Sequence, residues 1–140
     1  MKNIYISGSW KNRVAIRQLM DDIENLGYKI MVNWPNRKIT DDAKVAAEEN
    51  LKGLIECDYL IYCMDGIRSR GKYFELGYAS ALGKKIGIYL LPTYYKVINP
   101  NHEEVPFSVI LENESVFIRS RAYPILCNMG ELKNWLSDIK

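Results

Sequence analysis

The chain is poor in the residue types from which many hydrolytic and metal-dependent sites are built. It has one histidine, His102, and three cysteines, Cys57, Cys63 and Cys127, in 140 residues. A Ser-His or Cys-His catalytic pair would have to use that single histidine, which lies in a polar loop bounded by prolines. The cysteines are odd in number and lack metal-ligand spacing, so we expect buried, reduced thiols and no metal site.

Long apolar runs and a strong charge imbalance are also missing. No stretch approaches the length of a membrane span, and the first residues predict a strand rather than a signal peptide. The formal net charge is +2, and the basic residues are scattered apart from Arg68, Arg70 and Lys72. This balance gives no reason to expect a nucleic acid polymer or a membrane as the partner. We expect a cytoplasmic protein that acts on a small molecule.

The composition that is present is that of one ordinary globular domain, spanning residues 1–140, with 48% hydrophobic and 26% charged residues. Strands and helices alternate along it. The predicted strands are Asn3–Ser7, Tyr28–Val32, Asp58–Met64, Lys85–Leu91 and Ser115–Ile118. The predicted helices are Lys11–Leu26, Thr40 or Asp41 to Glu56, Gly71–Leu82, a short one at Phe107–Leu111, and Gly130–Ile139. Such alternation predicts an α/β sandwich, with a mostly parallel sheet between two layers of helices.

In such sheets a ligand binds beyond the carboxyl ends of the strands, where the strand order reverses. The segments delivered there are Ser7–Arg13 and Asp65–Glu75. The first offers free N–H groups at a helix start, two serines and nearby cations, which suits a phosphate or a sugar hydroxyl. The alternative is a helix capped by Ser9 and nothing more.

Glu75 stands where the helical pattern of its segment asks for an apolar residue. It shares a face with Ala79 and Leu82, beside a stripe of Phe74, Tyr78 and Leu82. Because a desolvated carboxylate is costly, it needs a partner or a chemical role, and a nucleophile in a small-molecule pocket is one such role. The alternative is a structural carboxylate that caps a buried donor or pairs with Lys72 or Lys84.

Two further polar features carry open alternatives. Asn50 follows Ala43 and Ala47 on the apolar stripe of the second helix, where its amide could hold a ligand hydroxyl, orient Glu75 or bond to backbone. Residues 66–72 fit the G-x-x-x-x-G-K part of a P-loop. Tyr73 replaces the metal-binding Ser or Thr, and the segment follows the third strand rather than the first, so we treat the match as a decoy. Ser69 in that segment can cap the helix or bind an anion.

Four segments together resemble the nucleoside 2-deoxyribosyltransferase family, including its 2′-deoxynucleoside 5′-monophosphate N-hydrolase branch. They are Ile4–Trp10, Asn50–Leu54, Cys57-Asp58 and Gly71–Ala79, of which Glu-Leu-Gly-Tyr-Ala is the most specific piece. The resemblance covers roughly residues 3–91 and implies a flavodoxin-like (Rossmann-like) three-layer sandwich with a five-stranded sheet. It also implies a homodimer or higher oligomer, a nucleoside or nucleotide substrate and no cofactor.

By this resemblance Glu75 attacks C1′ of the deoxyribose, and Tyr5, which the pattern alone leaves as a core or crevice residue, orients it. Asn50 stands where the family usually has an aspartate that assists the base. Ser69 falls on a phosphate-binding serine, and Ser108 falls loosely on a residue that reaches a neighbouring subunit's site. The substrate-binding residues expected are Ser7, Gly8, Ser9, Trp10, Lys11, Asp65, Ser69, Gly71 and Ser108.

The departure at Asn50 matters because an amide cannot act as a general acid. The predicted reaction is cleavage of the N-glycosidic bond of a 2′-deoxynucleoside or its 5′-monophosphate through a deoxyribosyl-glutamate ester. A base resolves the ester in a transferase, and water resolves it in an N-hydrolase. The rival hypotheses are a non-catalytic nucleotide-binding or sensing domain, an enzyme that cleaves the N-glycosidic bond of NAD and, more distantly, a P-loop NTPase.

Overall fold

The computed structural model describes residues 2–38, 41–92, 94, 111, 114–120 and 122–138. Within these residues the strands are β1 (Asn3–Ser7), β2 (Lys29–Ile30), β3 (Tyr59–Met64), β4 (Lys85–Leu90) and β5 (Ile125–Leu126). The helices are α1 (Arg13–Asn25), α2 (Ala43–Glu56), α3 (Arg70–Ala81), α4 (Val116–Arg119) and α5 (Met129–Asp138), with 3-10 turns at Trp10–Asn12 and Trp34–Asn36.

The described strands form one sheet in the order β2-β1-β3-β4-β5, and every pairing between them is parallel. This is the flavodoxin-like order, with its reversal at β1 and β3. In register, Ile4 pairs with Tyr59 and Ser7 with Tyr62. The predicted α/β class and flavodoxin-like sheet are confirmed, and the sheet described is wholly rather than mostly parallel.

Two apolar layers hold the sheet between its helices. On one face Ile4, Ile6 and Ile61 pack with α1 and α5 through buried residues such as Ile16 and Leu132. The opposite face packs with α2, α3 and α4 and includes Tyr5, Leu60, Leu54, Leu76 and Ile118. β3 is buried along all six residues because it is central and covered on both faces, as its continuous apolar run predicts.

The predicted fifth strand is wrong. Ser115–Ile118 lies at the start of α4, where the Ile118 and Arg119 N–H groups donate to Ser115 O. Ile118 is buried against the sheet from that helix. The edge position beside β4 belongs instead to Ile125–Leu126, which pairs with Ile88 and Tyr89. A four-residue run of apolar and β-branched residues is too short for periodicity to separate a strand from one helical turn.

Smaller corrections concern the α2 and α3 surfaces. Asp42 caps α2 by accepting from the N–H groups of Lys44 and Val45, so the helix begins at Ala43, after both of the starts predicted for it. Phe74 is 60% and Leu82 46% exposed, and the stripe predicted beside Glu75 is not a packed face of α3. The buried α3 residues are Lys72, Leu76 and Ala79. Of the short helix predicted at 107–111 only Leu111, which is buried, lies among the described residues, and most of residues 92–106 lie outside them.

Candidate active site

A pocket of about 350 Å³ opens beyond the carboxyl ends of β1, β2 and β3, where this fold is expected to bind ligands. Its volume is within the range of small-molecule sites. It brings together six of the predicted site residues, which lie on three separate elements and their loops. The lining residues are Tyr5, Gly8, Trp10, Trp34, Arg37, Lys38, Asp41, Ala46, Asn50, Ser69 and Glu75.

Glu75 reaches this pocket from the second turn of α3 and is held by two hydroxyl groups of β1. The phenol of Tyr5 donates a hydrogen bond to Oε2. The hydroxyl of Ser7 donates to Oε1 over 3.1 Å. Both donors are at most 1% exposed because they lie on the covered strand β1. The carboxylate therefore has a fixed orientation at the pocket wall while each oxygen keeps an unused lone pair.

The electrostatics of Glu75 combine opposing effects. Burial raises the pKa of the carboxyl above its ordinary value, while the hydrogen bonds from Tyr5 and Ser7 and the charge of Arg37 oppose that rise. Burial, together with the negative charge of Glu75, raises the pKa of the Tyr5 phenol strongly. Tyr5 therefore stays protonated and remains a hydrogen-bond donor.

Ser69 also lines the pocket and is the N-cap of α3, where its Oγ accepts from the Lys72 N–H at 3.5 Å. Free N–H groups and the positive helix end favour an anion there. Trp10 is 39% exposed at the rim, with the guanidinium of Arg13 4.8 Å above its ring. Lys11 and Ser9 belong to the same segment but are not among the lining residues, and Lys11 is exposed.

Asp65 is buried in an ion pair and is not among the residues that line the pocket. Its side chain is 1% exposed and pairs with Lys72, whose side chain is 2% exposed, at 2.8 Å. The same carboxylate accepts from Asn12 Nδ2 and from the Ile67 N–H. Burial by itself raises the pKa of Asp65, but hydrogen bonds from Lys72 and Asn12 and the nearby Ser9 hydroxyl outweigh it, and the pKa is lowered. This cluster joins the β1–α1 segment to the β3–α3 segment.

The contacts of Lys72 and Lys84 answer two questions that the sequence left open: whether either lysine pairs with Glu75, and whether the P-loop-like segment binds a ligand. Lys72 donates to Asp65 and to the Cys63 carbonyl, so it is not the partner of Glu75. Lys84 donates to the Ile55 carbonyl and is not that partner either. Because Lys72 is buried against β3, the lysine of the P-loop-like segment does not point at a ligand. The structure supports treating that match as a decoy.

Asn50 lies in the pocket wall contributed by α2, and it also lines a second cavity of about 410 Å³ between α2 and α3 that shares Glu75. Its amide oxygen is buried and has no hydrogen-bond partner among the described residues. Ala43 and Ala47, which sequence reasoning placed on the same packed stripe, are exposed, whereas Leu54 is fully buried. Asn50 therefore faces the site rather than a dry core.

The two glycines and Ser108 have different positions. A Cβ on Gly8 would clash with the side chain of Ile16, which explains a glycine where the chain passes from β1 over α1. Gly71 lines the second cavity rather than the main pocket. Ser108 and His102 lie outside the described residues. Among the described residues no group of three or more His, Cys, Asp or Glu side chains could hold a metal ion.

The wall formed by the segment between β2 and α2 was missed by sequence reasoning, which assigned residues 33–40 only to a loop. Trp34 donates its indole N–H to the Ile6 carbonyl at 2.7 Å and so fixes this segment against the end of β1. Arg37 and Lys38 follow it into the pocket. The sequence did contain an indication of this wall. Arg37 and Lys38 follow a strand predicted to lie beside β1, and neighbouring parallel strands place their following loops at the same edge of the sheet.

The comparisons with known proteins identify the family of this chain. A model of the family described as nucleoside 2-deoxyribosyltransferase matches residues 4–106, well over half of the chain. The chain therefore belongs to the nucleoside 2-deoxyribosyltransferase family. No curated protein sequence matches it. In the described part of the chain, no helix has both the length and the apolarity needed to cross a membrane.

Two solved structures share the fold over their whole length. The CMP N-glycosidase BcmB of Clostridium botulinum is 20% identical, with a TM-score of 0.61 and coverage of 97% of this chain and 98% of that chain. The 2-deoxyribosyltransferase of Leishmania mexicana is 16% identical, with a TM-score of 0.67 and full coverage of both chains. At these identities the likeness establishes the fold and leaves the substrate open.

Proposed function

We propose that the protein cleaves the N-glycosidic bond of nucleosides or their 5′-monophosphates, with Glu75 as the nucleophile. The observation that carries this proposal is the double hydrogen bond that holds the Glu75 carboxylate at the pocket wall. A carboxylate fixed in this way is suited to attack at a sugar carbon and to form a glycosyl ester. The family membership supports the same chemistry.

In the first step a Glu75 oxygen forms a bond to C1′ while the bond between C1′ and the base nitrogen breaks, its electron pair leaving with the base. In the second step water or another base attacks C1′, and the ester bond breaks to regenerate the carboxylate. Tyr5 and Ser7 hold the attacking group in place, so little orientation has to be gained at the moment of reaction. Water as the second nucleophile gives an N-hydrolase, and a base gives a transferase.

A 5′-monophosphate is the substrate form that the pocket supports best. Ser69 and the start of α3 provide a hydroxyl and N–H groups for an anion. The C. botulinum enzyme that shares the fold is named for a nucleoside monophosphate. Trp10 offers a flat apolar surface for the base or ribose. We infer a phosphate at the Ser69 end of the pocket.

The test measures by chromatography the release of free base from deoxynucleosides, ribonucleosides, their 5′-monophosphates and NAD. Each substrate is tested with and without an acceptor base. Glu75→Gln keeps the side-chain size and should abolish release while nucleotide still raises the melting temperature. Glu131→Gln, on the distant helix α5, is the matched control and should keep full activity. Full activity of Glu75→Gln would refute the covalent mechanism.

Release of nicotinamide alone would favour the NAD hypothesis. Nucleotide binding with no base release from the wild-type protein would make the chain a non-catalytic binding domain. Asn50 supports the hypothesis of a non-catalytic binding domain, because an amide there replaces the aspartate usual in the family and cannot act as a general acid.

A further inference from the structure

The bond cleavage proposed above leaves negative charge on the departing base, and Asn50 can hydrogen-bond to that base but cannot neutralise the charge by proton transfer. A general acid would donate a proton to the base as the bond breaks, but the Asn50 amide has no proton to give at ordinary pH. A fixed cation or hydrogen-bond donor close to the base can stabilise the same charge without proton transfer. In this pocket such a group has to stand on the side where the base lies.

The strand order determines that side. Glu75 and Ser69 come from the segment after β3, whereas the segment after β2 supplies the opposite wall, and β1 lies between them. Neighbouring strands are about 4.8 Å apart, so β2 and β3, which have β1 between them, are about 10 Å apart, enough to admit a sugar ring and its substituents. With the phosphate near Ser69 and C1′ at Glu75, as proposed above, we infer that the base extends toward the β2 side.

Arg37 stands on that β2-side wall and is held in place. Its guanidinium donates to Glu49 Oε2 at 2.9 Å and to the Ala46 carbonyl at 3.4 Å. The side chain of Arg37 is only 18% exposed, whereas that of Glu49 is 57% exposed. The donating nitrogen of both contacts is Nη2, and a guanidinium has five N–H donors in a planar fork. Anchored at one end, Arg37 still has donors to offer to the pocket it lines.

We propose that Arg37 is a catalytic residue that stabilises the negative charge of the departing base, in place of an acid at position 50. This inference rests on the proposed function. As C1′–N breaks, the electron pair moves onto the base, and the base leaves as an anion that is hydrogen-bonded to the guanidinium. The anion then takes a proton from water. The water that hydrolyses the ester gives its hydroxyl to C1′ and releases the balancing proton.

Two other roles for Arg37 predict different behaviour. Arg37 could act through Glu75, whose carboxyl it helps to keep ionised. In that case removing Arg37 shifts the acidic limb of the pH–rate profile, and the rate on the plateau is unchanged. If it only shapes the pocket, its loss slows every substrate by the same factor. If Arg37 stabilises the leaving base, the rate loss on removing Arg37 depends on the base: it is smaller for a base whose anion is already more stable.

The experiment measures base release in single turnovers, on the plateau of the pH profile, from the 5′-monophosphates of deoxyuridine and deoxycytidine and from their 5-fluoro analogues. Fluorine withdraws electrons and stabilises the base anion. The proteins are wild type, Arg37→Gln, Arg37→Lys and the matched control Lys38→Gln, which removes the same charge from the same wall. Melting temperatures check folding, and Arg37→Lys carries the comparison if Arg37→Gln does not fold.

We expect Arg37→Gln to slow release of the unsubstituted base by about 100-fold and release of the fluorinated base by a distinctly smaller factor. Arg37→Lys should recover part of the difference, and Lys38→Gln should affect both substrates alike. Equal slowing of both substrates by Arg37→Gln, or a loss confined to low pH, would overturn the proposal while leaving Glu75 as nucleophile. A wild-type protein that releases no base from any nucleoside or 5′-monophosphate of the panel described above would remove the proposed function and this inference together.

Discussion

Tyr5 donates a hydrogen bond to Glu75, 70 residues further along the sequence, and this contact joins strand β1 to helix α3. The phenol is almost completely buried, whereas the carboxylate opens onto the pocket. The contact has an electrostatic consequence, because a donor to the charged form of a carboxyl lowers its pKa. Burial acts in the opposite direction, and the balance determines the pH at which Glu75 is ionised.

Replacing Tyr5 with Phe should move the acidic limb of the pH–rate profile to higher pH. The hydrogen bond from Tyr5 lowers the pKa of Glu75 against the effect of burial, so its removal raises that pKa further and protonates the nucleophile at a higher pH. At neutral pH we expect a rate loss of roughly tenfold, the equivalent of a charged hydrogen bond of about 1.5 kcal/mol.

The measurement for Tyr5→Phe is kcat and kcat/KM across a pH series. Tyr28→Phe removes a phenol outside the pocket and serves as the control. An unchanged acidic limb together with a uniform rate loss would mean that Tyr5 orients Glu75 without setting its ionisation.

Ser69→Ala should weaken a 5′-monophosphate more than the matching nucleoside. The hydroxyl caps α3 and faces the pocket, so its loss removes one donor for a phosphate. We expect KM for the monophosphate to rise by roughly tenfold. The lost cap should cost about 1 kcal/mol of unfolding free energy. Ser69→Thr keeps the hydroxyl and should retain the preference, whereas equal losses on both substrates would exclude a phosphate contact.

Asn50→Asp should raise the turnover number if this position has the role of the family's usual aspartate. An acid at position 50 can give the leaving base a proton, and general acid catalysis contributes about 100-fold or more. The new carboxyl would also raise the pKa of Glu75 by like-charge repulsion, so the optimum should move to higher pH. Asn50→Ser, which supplies no acid, is the control. A folded Asn50→Asp protein with no faster turnover would contradict this role.

Lys72→Met should destabilise the fold by about 3 to 5 kcal/mol, since it leaves the Asp65 carboxylate buried without its cation. The double variant Asp65→Asn with Lys72→Met removes both charges and should recover much of the loss. Urea unfolding measures both. A single variant as stable as wild type would show that Asp65 finds water or another donor.

The same cluster gives the fold a pH dependence with a definite sign. The pKa of Asp65 in the folded protein lies below its ordinary value, so its stabilising contribution is present above that ordinary value. The contribution is lost as the pH falls through the folded-state pKa. Urea unfolding of wild type and of the double variant at several acidic pH values should therefore converge as the pH is lowered.

Much of the fold follows from local pattern. The buried run of β3, the helical spacing of α1 and the turn after each strand indicate α/β alternation, and alternation indicates a parallel sheet. Glu75 was predicted as a site residue because a carboxylate interrupts an apolar pattern between Phe74 and Leu82, although the exposed side chains of those two residues show that this pattern is not a packed face. Tyr5 was assigned a role only through the family resemblance, since its position on a strand allows either core or crevice and core packing is the more ordinary interpretation.

Tertiary structure decided the features that depend on contacts between distant segments. Helical spacing made Lys72 a candidate partner for Glu75, three residues further along α3, but the fold pairs Lys72 with Asp65, which precedes the helix. Arg37 joined the pocket because β2 lies beside β1 and Trp34 bonds to Ile6. β5 formed at Ile125 because that segment reaches the free edge of β4. Periodicity records which face of an element is buried, whereas only the packed chain determines which side chain lies opposite.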